Sequence, residues 1–303
     1  MEMGILAEAP GLDRREFALP SGRISALFAP GRRSTVLLVH GNSSCKEVFA
    51  RQFGPLVSSG FGVLAADLPG HGGSANAGEP KAVYSFPGYA AVLSSLLDEL
   101  ALDDVQVLGW SLGGHVGLEL WGTDPRVRSL LITGTPPIRP SPEALRDAFT
   151  DSPGMDLAGK RDFTAADALT YATLMLGGPE HVSDRLLGAV RRTDGDARFW
   201  MVRNGLAGTG VDQARLVRSG PKPLAVVQGA RDPFLNLQYL HALSYRRLWR
   251  DGVQLIETAG HAPHWQAPAV FNALMLGFLE WADGRGHQNW TPESISVGMS
   301  APG

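Results

Sequence analysis

The apolar residues of the chain fall into two alternating rhythms. Compact runs at 36–39, 62–66, 105–108, 130–133, 224–227 and 253–256 contain almost nothing polar. They are too short for helices and suit strands buried on both faces. Between them, apolar residues recur at steps of three and four. Val92, Leu93, Leu96, Leu97 and Leu100 form one such series, and Val270, Phe271, Leu274, Phe278 and Trp281 another. Each predicts a helix with one buried face. Two shorter alternating stretches, about 14–19 and 23–28, meet through Pro20-Ser21-Gly22 and predict an opening hairpin. Strands alternating with helices predict an α/β fold, with a mainly parallel central sheet covered by helices on both sides and right-handed crossovers.

The alternation stops after Thr133. From about Pro136 to Gly220 there are prolines and helical patterns, such as 164–176 and 183–192, but no strong strand run. That length is too great for a loop inside a compact domain. It predicts a helical cap over 136–220, inserted between a first core part, 1–135, and a second, 221–283. Beyond lies a polar segment, 284–303, expected to be disordered. No internal repeat is present.

Composition narrows the partners. The chain has 303 residues and is 44% hydrophobic, enough for one large core or a core with a small accessory domain. Its 27 basic and 30 acidic side chains leave a formal net charge of −3, which offers no electrostatic pull toward nucleic acid or an anionic membrane. A single cysteine, Cys45, excludes an internal disulfide and fits a reducing compartment. Residues 1–6 lack the basic-then-apolar pattern of a signal peptide. No run approaches the roughly 20 apolar residues of a membrane-spanning helix. A cytoplasmic protein acting on a small molecule is expected.

The chemistry begins at Gly109-Trp110-Ser111-Leu112-Gly113, a G-x-S-x-G pattern directly after the run 105–108 and before a helix expected over 112–122. A serine on so sharp a strand-to-helix turn needs small flanking residues, and the helix start offers free N–H groups to a forming negative charge. Ser111 is therefore the candidate nucleophile. A serine hydroxyl needs a base. His261, in Gly260-His261-Ala262-Pro263 after the last strand run, can reach over the sheet edge toward it. His264 competes, but Pro263 should lead the chain away. His40, His71 and His115 read as loop or packing residues. The base in turn needs a carboxylate, and Asp232 follows the run 224–227. The loop after 130–133 reads Gly134-Thr135-Pro136 and has none, while Asp67 reads as a loop-ordering residue. For the oxyanion hole, one donor is the backbone N–H of Leu112. The second, by position, is the N–H of Asn42 in His40-Gly41-Asn42-Ser43-Ser44, whose side-chain amide could also meet substrate. Trp110 joins Asn42 as an expected substrate contact. Cys45 reads as a packed thiol.

The blocks HGNSS at 40–44, DLPGHG at 67–72, GWSLGGH at 109–115 and GHAP at 260–263 resemble those of the α/β-hydrolase superfamily. Its nucleophile-acid-base chain order is also the order Ser111, Asp232, His261. ITGTPP at 132–137 and RTDGDAR at 192–198 add a narrower resemblance, over about 12–283, to the metal-independent N-acyl-homoserine lactonases of that fold. The resemblance implies a quorum-quenching serine hydrolase without metal or cofactor. It also implies a substrate-contacting cap tyrosine at Tyr171, with Leu174, Met175 and Leu176 as a wall for an acyl chain. Two departures stand out: the acid is Asp232 where glutamate also occurs, and Gln266 replaces the glutamate of G-H-x-P-x-x-E. The nearest alternative is a general carboxylesterase. Dehalogenase and epoxide hydrolase chemistry need a carboxylate where Ser111 stands. A ligand receptor built on this fold would not need the complete triad.

Overall fold

The computed structural model describes residues 11–139 and 141–284. Eight strands, β1 (Asp13–Leu19), β2 (Gly22–Ala29), β3 (Thr35–Val39), β4 (Gly62–Ala66), β5 (Val105–Trp110), β6 (Val127–Thr133), β7 (Leu224–Gly229) and β8 (Gln254–Ile256), form one sheet in the order β1-β2-β4-β3-β5-β6-β7-β8. β1 and β2 are the expected hairpin, antiparallel to each other, and β2 also runs antiparallel to β4. Every other pairing is parallel. The expected runs are all strands, with β3, β5, β6 and β7 longer than their apolar cores suggested and β8 one residue shorter.

The pleat explains why these strands are apolar throughout. Val36 and Leu38 of β3 point into a core shared with Phe49, Phe53, Phe271 and Phe278, whereas Leu37 and Val39 point into another with Tyr89, Leu93, Leu96 and Val116. The helices Ala50–Ser58 and Pro268–Ala282 cover the first face, and Phe86–Glu99 and Leu112–Thr123 the second. Register brings the carboxyl ends of the central strands level: Val39 lies opposite both Ala66 and Gly109, and Trp110 opposite Thr133. The loops leaving β3, β5, β6 and β7 therefore emerge side by side.

Between β6 and β7 the described residues hold five α-helices, Pro142–Ala148, Ala165–Leu176, Asp184–Arg192, Gly195–Leu206 and Gln213–Ser219. Their starts are written locally. Ser141, Thr164, Ser183, Asp194 and Asp212 each cap the first turn with a side-chain oxygen, and Thr164 forms a reciprocal capping box with Asp167. Residues 285–303, most of the segment expected to be disordered, lie outside the described residues. Among the described residues no helix is long and apolar enough to cross a membrane.

Candidate active site

β5 ends at Trp110 and the next helix begins at Leu112, which leaves Ser111 at the turn with φ 54° and ψ −119°. A non-glycine residue in this region is strained and persists only where its surroundings hold it. The Ser111 N–H donates to Thr133 O (2.9 Å), and its carbonyl accepts from Gly114 N–H and the Thr135 hydroxyl, each at 2.9 Å. The motif glycines answer to crowding: a Cβ on Gly113 would sit 1.9 Å from Val39 O, and one on Gly109 2.3 Å from Gly113 O. Leu112 opens the helix, so its N–H has no acceptor within that helix.

The loop after β3 is buried from His40 to Ser44, with Ser43 at φ 54°. Asn42 turns its side-chain amide toward the helical insertion, donating to Ala158 O (2.9 Å) and to the Tyr171 hydroxyl (3.1 Å). Residues 129 positions apart are thus in contact. Burial pushes the Tyr171 hydroxyl well above the usual tyrosine range. Below the loop, Lys46 is buried and its ammonium meets Asp67 at 2.5 Å. Asp67 also accepts Lys46 N–H and Gly73 N–H, both at 2.7 Å, and so ties the loop after β4 to that after β3. Burial raises the Cys45 thiol well above its ordinary value, assisted by Glu47 and Asp67, which fits a packed thiol.

His261 follows β8, and its Nδ1–H donates to Asp232 Oδ2 at 2.9 Å, with both side chains buried. Asp232 accepts two further hydrogen bonds, from Phe234 N–H (2.9 Å, to Oδ1) and from the Gln228 amide (2.7 Å, to Oδ2). Burial alone would raise its carboxyl, but His261 and these donors outweigh burial and hold it below the ordinary aspartate value. The Trp110 indole N–H donates to the backbone carbonyl of His261 at 2.8 Å, and Phe234 meets the imidazole edge-on at 5.1 Å. A Cβ on Gly134 would come within 3.0 Å of His261 Cε1, so this glycine lets the end of β6 lie against the ring. Gln266 accepts Gly260 N–H at 2.9 Å through its amide oxygen, a bond a carboxylate could make equally well.

The other histidines sit apart from this pair. Neither ring nitrogen of His264 has a hydrogen-bond partner among the described residues; it packs on Trp110 (5.0 Å) and Phe49 (5.1 Å), and burial lowers it to about 3. His40 accepts Leu68 N–H at 3.0 Å, and burial lowers both it and His71. His115 stacks on Phe86 at 4.7 Å and bonds Gln213, with burial lowering it to about 4.

The space between Asn42, Trp110, Tyr171, Met175, Leu176 and Leu186 has a volume of about 10 Å³, room for about one water molecule. Leu174 packs against Gly154 instead. Larger depressions occur away from these residues, such as one of about 490 Å³ between Pro87 and Asp124. Of the residues singled out in the sequence, Asn42, Trp110 and Tyr171 border one space, while His261 and Asp232 pair beside Trp110. The sequence reading missed Gln228, Lys46 and the role of Gln266. For Gln228 the available signal was a lone amide inside an otherwise apolar segment.

A model of the Alpha/beta hydrolase family matches residues 36–274. Among solved structures, the N-acyl homoserine lactonase AidH in complex with N-butanoyl homoserine superposes with a TM-score of 0.86 and 37% identity, over 92% of this chain and all of that one (100%). A mutant of AidH in complex with N-hexanoyl homoserine lactone gives 0.85 and 37%, over 89% of this chain and 98% of that one. Among curated proteins, Esterase Rv0045c of Mycobacterium tuberculosis is 27% identical over 286 residues, 92% of either chain.

Proposed function

The chain belongs to the alpha/beta hydrolase family, and from that premise we propose that this ester-bond hydrolase opens the lactone ring of N-acyl-homoserine lactones. The observation that carries the reading is the buried His261–Asp232 pair, 2.9 Å apart and pinned to Trp110, the residue that precedes the strained Ser111. Likeness to AidH over nearly the whole chain supports the lactone as substrate.

Ser111 Oγ attacks the lactone carbonyl as His261 Nε2 takes its proton, and Asp232 stabilises the imidazolium. The oxyanion sits against the N–H groups of Leu112 and Asn42. When the tetrahedral intermediate collapses, the ring C–O bond breaks and His261 returns the proton to that oxygen. It becomes a hydroxyl on the same molecule, which is now esterified to Ser111. A water deprotonated by His261 then attacks this ester, and N-acyl-homoserine and free Ser111 result. The apolar side chains of Met175, Leu176 and Leu186 suit an aliphatic tail. A space of about 10 Å³ does not hold one, so the helices Ala165–Leu176 and Asp184–Arg192 part when an acyl chain enters.

Mass spectrometry of a homoserine lactone incubated with the protein tests this. A gain of one water, reversed by acidification, is expected, and Ser111→Ala should remove it. Free fatty acid would mean amide cleavage. Turnover of p-nitrophenyl esters alone would favour the second reading, a general carboxylesterase, to which the likeness to Rv0045c points. The biological consequence under the first reading is quorum quenching.

A further inference from the structure

Every residue of β7 is apolar or glycine except one. Gln228 is fully buried in Leu224-Ala225-Val226-Val227-Gln228-Gly229. An amide without partners in such a place would cost several kcal/mol at the upper end of the known range. Both ends of this one are used. Its oxygen accepts Gly134 N–H at 2.9 Å, and its nitrogen donates to Asp232 Oδ2 at 2.7 Å. Only one orientation of the amide satisfies both, because the reverse would set oxygen against carboxylate and N–H against N–H.

Its two partners sit on different loops, after β6 and after β7, and both face His261. Gly134, at φ +62°, lies close enough to His261 that a Cβ would come within 3.0 Å of ring atom Cε1. Asp232 Oδ2, the oxygen that receives Gln228, is also the one bonded to His261 Nδ1. We propose that Gln228 is a positioning residue for the base: one amide spans the ends of β6 and β7, sets the rotation of the Asp232 carboxylate and fixes the Gly134 wall beside the imidazole. The inference rests on the His261–Asp232 assignment above. Gln228 also tempers the charge that His261 feels, since a donor on Oδ2 withdraws some of that charge from the imidazolium.

Gln228→Met and Gln228→Glu test this on the whole chain with p-nitrophenyl butyrate, so that the outcome does not depend on the lactone being the substrate. Gln228→Met removes both bonds at similar volume. A kcat about 10- to 100-fold lower is expected, the scale of a misplaced catalytic group, with KM little changed. Gln228→Glu keeps the acceptor for Gly134 but donates to Asp232 only when the two carboxyls share a proton. It should therefore gain a descending alkaline limb absent from the wild type and from Gln228→Met. That limb is read within one folded protein and carries the test even if Gln228→Met does not fold. A Gln228→Glu variant without the new limb, or a Gln228→Met whose kcat stays within twofold or whose loss lies in KM alone, overturns the proposal. Asp232→Asn, assayed in parallel, separates the two levels. If it retains full kcat, the assignment of the base pair falls; if it loses kcat while the Gln228 variants do not, only the role of Gln228 falls.

Discussion

The two sides of the site are held by different parts of the molecule. On the base side, His261 and Asp232 are gripped by Gln228, Phe234 N–H and the Trp110 indole, all from the sheet and its own loops. On the other side, the Asn42–Ser43 turn is gripped by the helical insertion. Asn42 donates to Ala158 O and Tyr171, and the Arg198 guanidinium reaches the Ser43 hydroxyl at 3.5 Å. Arg198 is itself buried, with its other donors on the carbonyls of Lys160, Arg161 and Thr193 and its face over Phe163. Among the described residues, the His261 and Asp232 side chains take no hydrogen bond from the insertion. It reaches the backbone behind them, through Thr150 N–H to Phe234 O (2.8 Å) and Asn236 N–H to Ala148 O (3.0 Å), whereas the Asn42 side chain bonds the insertion directly. Under the proposed function, this difference separates the proton-transfer pair from the loop through which an acyl group can influence the rate.

The largest effect should come from breaking the base side. Asp232→Asn keeps the shape but presents the wrong hydrogen-bonding pattern to Nδ1, and kcat should fall about 10⁴-fold, the scale seen in a serine protease, for every substrate alike. A loss confined to long-chain substrates would erase the distinction between the sides. Next, Asn42→Ala leaves the backbone N–H in place and cuts the two bonds to the insertion. A kcat loss of about 10-fold is expected, below the ~10²–10³ that outright loss of an oxyanion donor costs because the N–H itself remains, and it should vary with acyl length. A uniform loss across a series of acyl lengths would show that the insertion does not set this loop. Trp110→Phe strips the donor from the His261 carbonyl and leaves that acceptor buried. A stability loss of about 1–3 kcal/mol is expected in urea unfolding, with the acid limb of kcat/KM unmoved.

The smallest effect concerns His264, which sits between the two sides and bonds to neither. Its folded value of about 3 lies below the 6.5 of an ordinary histidine, so the unfolded chain binds more protons between those limits. Stability is then fully present above about pH 6.5 and lost as pH falls toward 3. His115, lowered to about 4, acts in the same direction. His264→Phe should leave activity near wild type, raise Tm at pH 5 and flatten the decline of Tm below pH 6.5. A steeper acid decline would mean that the ring is protonated in the native state.

The sequence alone determined the features whose causes are local. Apolar runs must be buried, so the strands were legible, and Gly109 and Gly113 mark a turn that tolerates no Cβ on either side of Ser111. Helical patterns marked the stretches at 164–176 and 183–192. The placement of Asp232 and His261 at consecutive strand ends followed from the same alternation. Tertiary structure decided which buried polar groups meet. Nothing in the residues around Gln228 names Gly134, 94 positions away, as its partner, nor does Asn42 name Tyr171. Likewise, His261 and His264 stand three residues apart, and the fold gives one a carboxylate and the other only aromatic rings. Backbone strain, capping and burial are set by neighbours along the chain, whereas a buried hydrogen bond is set by whichever distant segment the packed sheet brings within 3 Å.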